Sequence, residues 1–98
     1  MIHIIARYRV KKGREEEARE IVGEFVAQVK VREKGTLLYQ AFHEIDNERN
    51  FFHLMTFKDG FSQEVHSKSP HVKKLADQLY PLCEGEPEFV GLELIEGR

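Results

Sequence analysis

Four stretches of this 98-residue chain alternate with a period of two and carry large apolar side chains on both faces, while only two regions carry a helical stripe. That imbalance constrains the fold more than any single motif. Over residues 1–10, Ile2, Ile4, Ala6, Tyr8 and Val10 share one face of a strand and His3, Ile5, Arg7 and Arg9 the other. Beyond Lys11-Lys12-Gly13 the spacing changes to three and four. Ala18, Ile21, Val22, Phe25, Val26 and Val29 then form the stripe of a helix opening at Arg14, with Glu15, Glu16 and Glu17 suited to the positive end of its dipole. Gly35 is placed to stop the chain after this helix.

Residues 36–44 and 51–57 return to period two. Leu37, Tyr39, Ala41 and His43 oppose Leu38, Gln40 and Phe42, and Phe51, His53, Met55 and Phe57 oppose Phe52, Leu54 and Thr56. The polar run Asp46-Asn47-Glu48-Arg49-Asn50 between them predicts a hairpin. Asp59-Gly60 closes the third strand, and Ser62 reads as the N-cap of a second helical region carrying Val65, His66, Val72, Leu75, Ala76 and Leu79. Pro70 lacks a backbone donor and clashes with a preceding turn, so this region divides into a short helix over 62–68 and a longer one capped by Ser69. Pro81 and Gly85 end it, and residues 89–95 form the last strand.

The order β-α-β-β-α-β is the α+β, ferredoxin-like split motif with an antiparallel sheet, occupying residues 1–98 as one domain. Two helical layers shield only one side of such a sheet. The apolar residues on the other side need a partner, and a second copy supplies it, giving a dimeric α/β barrel with a cavity inside and a homodimer or higher oligomer.

Net charge is −2 with both signs interspersed, which removes the long-range attraction that a nucleic-acid binder uses. No run approaches the roughly 18 apolar residues of a membrane span, and His3, Arg7 and Arg9 interrupt any signal-peptide core. The single cysteine, Cys83, has no intrachain partner and suits a reducing compartment, so the expected location is the cytoplasm. It reads as a semi-buried residue near a helix end.

Several segments together carry a resemblance over almost the whole chain: the opening strand with its Lys12-Gly13 turn and helix, Glu33-x-Gly35-x-Leu37-x-Tyr39, Phe57-Lys58-Asp59, and His66-x-x-Ser69-Pro70-His71-Val72. The chain resembles the antibiotic biosynthesis monooxygenase domains and the quinol monooxygenases grouped with them. That resemblance implies a dimeric α/β barrel binding small hydrophobic or aromatic ligands between sheet and helices, and oxidation of phenols or quinols by O₂ without metal or flavin. Many members carry Glu and Trp flanking one residue at the end of the third strand, where this chain has Met55-Thr56-Phe57. The haem-degrading branch of related domains has an Asn in the first strand and a Trp near the ligand; this chain has neither.

Such an oxidation needs an apolar pocket, a base and donors for the anion formed. His66 corresponds to the helix histidine of the family, and its ordinary pKa of about 6.5 suits a base. Arg7, Tyr39, His53, Met55, Phe57 and His71 are the expected ligand-contacting residues. For Arg7, with Arg9, and for Tyr39 the alternatives are anion or phenol recognition within the barrel, or rim salt bridges and a half-buried tyrosine. Phe51, Phe52, Phe57 and Phe61 read as a local aromatic cluster. His43, His53 and His66 raise the question of a metal, but no HxH or HxxxH pair accompanies a carboxylate, and no metal is assigned. Three functions follow as expectations: a cofactor-independent monooxygenase of a small aromatic or quinol substrate, a non-catalytic dimeric binder, or an isomerase whose Arg7 or Arg9 holds an anion.

Overall fold

A computed structural model describes residues 1–98. The elements are β1 (Ile2–Val10), α1 (Glu15–Arg32), β2 (Thr36–His43), β3 (Asn50–Phe57), α2 (Gly60–Ser67), α3 (Pro70–Leu79), a 3₁₀ turn (Tyr80–Leu82) and β4 (Cys83–Leu92). The four strands form one antiparallel sheet in the order β2-β3-β1-β4, the ferredoxin-like α+β arrangement that the periodicity implies.

Register follows from the faces. Tyr8 pairs with Phe51, Ala6 with His53, Ile4 with Met55 and Ile2 with Phe57, and on β3's other side Ala41 pairs with His53 and Tyr39 with Met55. All of these point to one face of the sheet. Helix α1 buries Ala18, Val22, Phe25 and Val29 on that same side, and α3 buries Leu79.

The buried apolar residues fall into two clusters. One holds Tyr8, Val10, Ala18, Val22, Phe51, Leu79, Leu82 and Cys83; the other holds Ala6, Met55 and Phe57. On the inward face of β3, Phe51 belongs to the first and Met55 and Phe57 to the second. His53 stands between them, so the core is interrupted where its register places a polar ring.

Four expectations are corrected. Asp59, not Ser62, caps α2: its carboxylate accepts the Ser62 N–H at 2.8 Å. Gly35 is not a helix stop, since α1 ends at Arg32 with Glu33 as C-cap and Gly35 lacks the positive φ of such a cap. Instead a Cβ on Gly35 would lie 2.0 Å from Ser62 Oγ, so glycine lets α2 approach the start of β2. β4 begins at Cys83 rather than at residue 89, because pairing of Arg9 with Glu84 and Arg7 with Glu88 draws the edge strand back. Finally, the four phenylalanines do not cluster. Phe51 and Phe57 are buried in separate clusters, Phe52 pairs with Arg7 on the opposite face, and Phe61 is exposed.

That opposite face carries His3, Ile5, Leu38, Phe42, Phe52, Leu54, Val90 and Leu92, with no helix over it. No helix of the chain is long and apolar enough to cross a membrane.

Candidate functional site

The interrupted core opens into a cavity of about 310 Å³ between the sheet and the helices. β1 contributes Ile4, Ala6 and Tyr8, β2 Tyr39, and β3 His53, Met55 and Phe57. Phe25 of α1, His66 of α2, and Val72 and Leu75 of α3 close it. Its size and its mostly apolar walls with a few convergent polar groups are those common to small-molecule sites. This cavity is lined by residues of one chain, on the helix-covered face of the sheet rather than the bare one.

His66 is 9% exposed and ringed by aromatics: Phe57 at a centroid distance of 5.0 Å, Tyr39 at 5.6 Å and Phe25 at 6.1 Å. Behind it stands Glu33, whose two carboxylate oxygens lie 2.8 and 3.0 Å from His66 Nδ1. Glu33 Oε1 also accepts the Thr36 hydroxyl at 2.6 Å, and Oε2 meets His71 Nε2. Burial alone would raise the Glu33 carboxyl, but hydrogen bonds from Thr36 and His71 and the neighbouring His66 outweigh it and hold it below the usual range. Burial lowers His66, with Glu33 pulling the other way, so the imidazole is held towards its neutral form. With Nδ1–H donating to the carboxylate, Nε2 is the basic nitrogen. It has no protein partner, and no buried side-chain polar atom lacks one, so Nε2 keeps access to open space.

A second polar group lies across the cavity. His53, 2% exposed, has Tyr8 Oη 2.8 Å from Nε2 and Tyr39 Oη 2.7 Å from Nδ1. Burial depresses this histidine to about 4, with His66 adding to the effect, and burial pushes both tyrosines well above their ordinary value.

Of the expected site residues, the fold brings His66, Tyr39, His53, Met55 and Phe57 together on one cavity. His71 reaches Glu33 but does not line the cavity; it lies on a more open groove of about 570 Å³ between α1 and α3. Arg7 is placed elsewhere. Odd-numbered positions of β1 face away from the helices, and its side chain, 51% exposed, bonds Glu88 at 3.0 Å on the bare face. His43 pairs with Phe51 and packs edge-on against its ring, outside the cavity. Cys83 is buried at the start of β4, its thiol pushed up by burial.

Two residues escape sequence reading. Glu33 lies in the Glu33-x-Gly35 segment but looks like one more helix-end acid, and Tyr8 reads only as a core position. The available signal for Glu33 was a histidine-rich segment with no acid of its own positioned to orient His66.

The antibiotic biosynthesis monooxygenase family model matches residues 1–78. Among solved structures, the chain is similar to one described as an antibiotic biosynthesis monooxygenase, with TM-score 0.90, 17% identity and coverage of 98% of this chain and 100% of the other. It also resembles a conserved protein from Methanosarcina mazei Go1, with TM-score 0.85, 23% identity and coverage of 93% and 89%. A protein from Pseudomonas aeruginosa matches with TM-score 0.87, 18% identity and coverage of 97% and 94%. At these identities the likeness speaks for the fold. No curated protein matches the sequence.

Proposed function

The chain belongs to the antibiotic biosynthesis monooxygenase family, and on that premise we propose that it is a cofactor-independent monooxygenase acting on a small aromatic or quinol substrate held beside His66. The observation that carries this reading is the His66–Glu33 pair at the wall of an aromatic cavity.

Glu33 fixes the tautomer with Nε2 unprotonated, and its charge stabilises the imidazolium formed when Nε2 takes a proton from a ligand hydroxyl. The phenolate so produced is electron-rich, and the apolar walls deny it the water that would stabilise it. For a hydroquinone, a ring carbon then forms a C–O bond to O₂. The hydroperoxide breaks its O–O bond: one oxygen stays on the ring and the other leaves as water. Hydroquinone and O₂ thus become hydroxyquinone and water, with all four electrons drawn from the substrate.

The reading includes a homodimer formed through the bare face, whose Ile5, Phe42, Leu54 and Leu92 otherwise meet solvent without a covering layer. A second reading, a binder without turnover, is favoured by Met55 and Phe57, which present apolar groups to the cavity where many relatives have Glu and Trp. The isomerase reading loses its anion clamp, since Arg7 and Arg9 project from the other face.

Oxygen uptake with a panel of hydroquinones tests the proposal. The wild type should consume O₂ and release the hydroxyquinone, and His66→Ala should lower the rate by about 100-fold. Equal rates in both proteins end the assignment of His66. Tight ligand binding with no product favours the binder.

A further inference from the structure

Each nitrogen of His53 meets a tyrosine hydroxyl, and counting protons shows that the arrangement has one to spare. A neutral imidazole carries one N–H, so it donates to one hydroxyl and accepts from the other. The tyrosine that accepts from His53 still holds its own proton, and neither Tyr8 nor Tyr39 has any further hydrogen-bond partner in the protein. If Nδ1 carries the hydrogen, the spare O–H belongs to Tyr39; if Nε2 carries it, to Tyr8. Were the ring protonated, both would be spare. Every protonation state of His53 therefore leaves at least one phenolic O–H without an acceptor, and both tyrosines line the cavity.

A buried donor without an acceptor is costly in an empty apolar site, and a ligand oxygen removes that cost. We propose that Tyr8, His53 and Tyr39 form a recognition element for a ligand oxygen, so that the cavity selects aromatic molecules bearing a second oxygen function, quinols and quinones, over monophenols and plain arenes. This rests on the oxygenase reading for the role of the first oxygen at His66, and adds the class of molecule: one hydroxyl for the base, another hydroxyl or carbonyl for the tyrosine pair. The element is uncharged, since burial holds His53 neutral and both phenols protonated. It can thus bond the reduced hydroxyl or the oxidised carbonyl, because His53 changes tautomer and either tyrosine offers the proton.

The test uses 1,4-naphthoquinone, which needs neither O₂ nor turnover, against naphthalene, the same rings without oxygen. Dissociation constants are measured for wild type, Tyr39→Phe and Tyr8→Phe/Tyr39→Phe. The wild type should prefer the quinone by about tenfold, the single variant less, and the double variant not at all, with naphthalene affinity retained. The infrared carbonyl stretch of bound naphthoquinone should shift down in wild type and return in the double variant, which a purely structural role of the tyrosines would not produce. If the double variant does not fold, the wild-type preference, its reduction in Tyr39→Phe and the carbonyl shift carry the test. Equal affinity for the two probes in wild type, or an undiminished preference in the variants, overturns the proposal. Quinone selectivity without oxygen uptake sinks the oxygenase and leaves this element standing; oxygen uptake without selectivity does the reverse.

Discussion

Glu33 ties three elements to the end of α1 through one carboxylate: standing just past that helix, it accepts from Thr36 at the start of β2 and meets His66 of α2 and His71 of α3. Because its hydrogen bond and charge both raise His66 against the pull of burial, Glu33→Gln should move the NMR titration midpoint of His66 further down. An upward or unchanged midpoint would show that the pairing does not set the protonation of that ring. His53 makes the companion case. Its folded pKa of about 4 lies below the ordinary 6.5, so as pH falls the unfolded chain takes up the proton first. The stabilisation is complete above about pH 6.5, is lost progressively towards pH 4, and amounts to about 3 kcal/mol in all. His53→Gln keeps one donor and one acceptor and does not titrate, so melting temperature in that variant should fall less steeply between pH 6.5 and 4 than in wild type.

At the scale of elements, the junction of α2 with the start of β2 depends on Gly35. A methyl there would meet Ser62 Oγ at 2.0 Å and Ser62 Cβ at 2.5 Å. The second contact cannot be relieved by rotating the side chain. Gly35→Ala should therefore cost about 1–3 kcal/mol, and adding Ser62→Gly should recover part of the loss, a non-additivity read from chemical denaturation of the four proteins. Simple addition of the two effects would place the strain elsewhere. The same junction shows what could be read beforehand. The faces of β1 and β3 and most of β2 were legible because side chains alternate across a strand by backbone geometry, and with them the sharing of one face by His53, Met55 and Phe57; which face turns inward was not. The break at Ser69-Pro70 was legible because proline forces it. β4 was not: Glu84-Gly85-Glu86-Pro87 has poor strand propensity and pairs only because β1 offers an edge, with Gly85 at φ 75° near a register shift between Arg7 and Arg9. Glu33 stayed hidden for a related reason, since its burial arises from four elements meeting and no local pattern records it.

At the scale of the whole molecule the sheet has two unlike faces, and the proposed assembly and the proposed ligand binding fall on different ones. The helix-covered face encloses the cavity with residues of one chain. The bare face offers Ile5, Leu54 and Val90 in adjacent strands at one level and His3, Leu38, Thr56 and Leu92 at the next, with Arg7 and Glu88 paired further along. Such a surface is apolar in its middle and charged towards one end, and sheet-on-sheet packing would remove its centre from water. Leu54 lies on the central strand β3 with its side chain on that face, so Leu54→Asp would bury a carboxylate in the proposed contact without touching the cavity wall. Sedimentation should find wild type at twice the chain mass and Leu54→Asp at the mass of one chain, since an unpaired buried charge is among the most costly groups an interface can hold. The monomeric variant should still bind 1,4-naphthoquinone within about twofold of wild type, as distant independent sites usually do not couple. A dimer that persists in Leu54→Asp would remove this face as the contact, whereas binding lost on dissociation would mean that the helix-side cavity needs the second sheet to hold its shape.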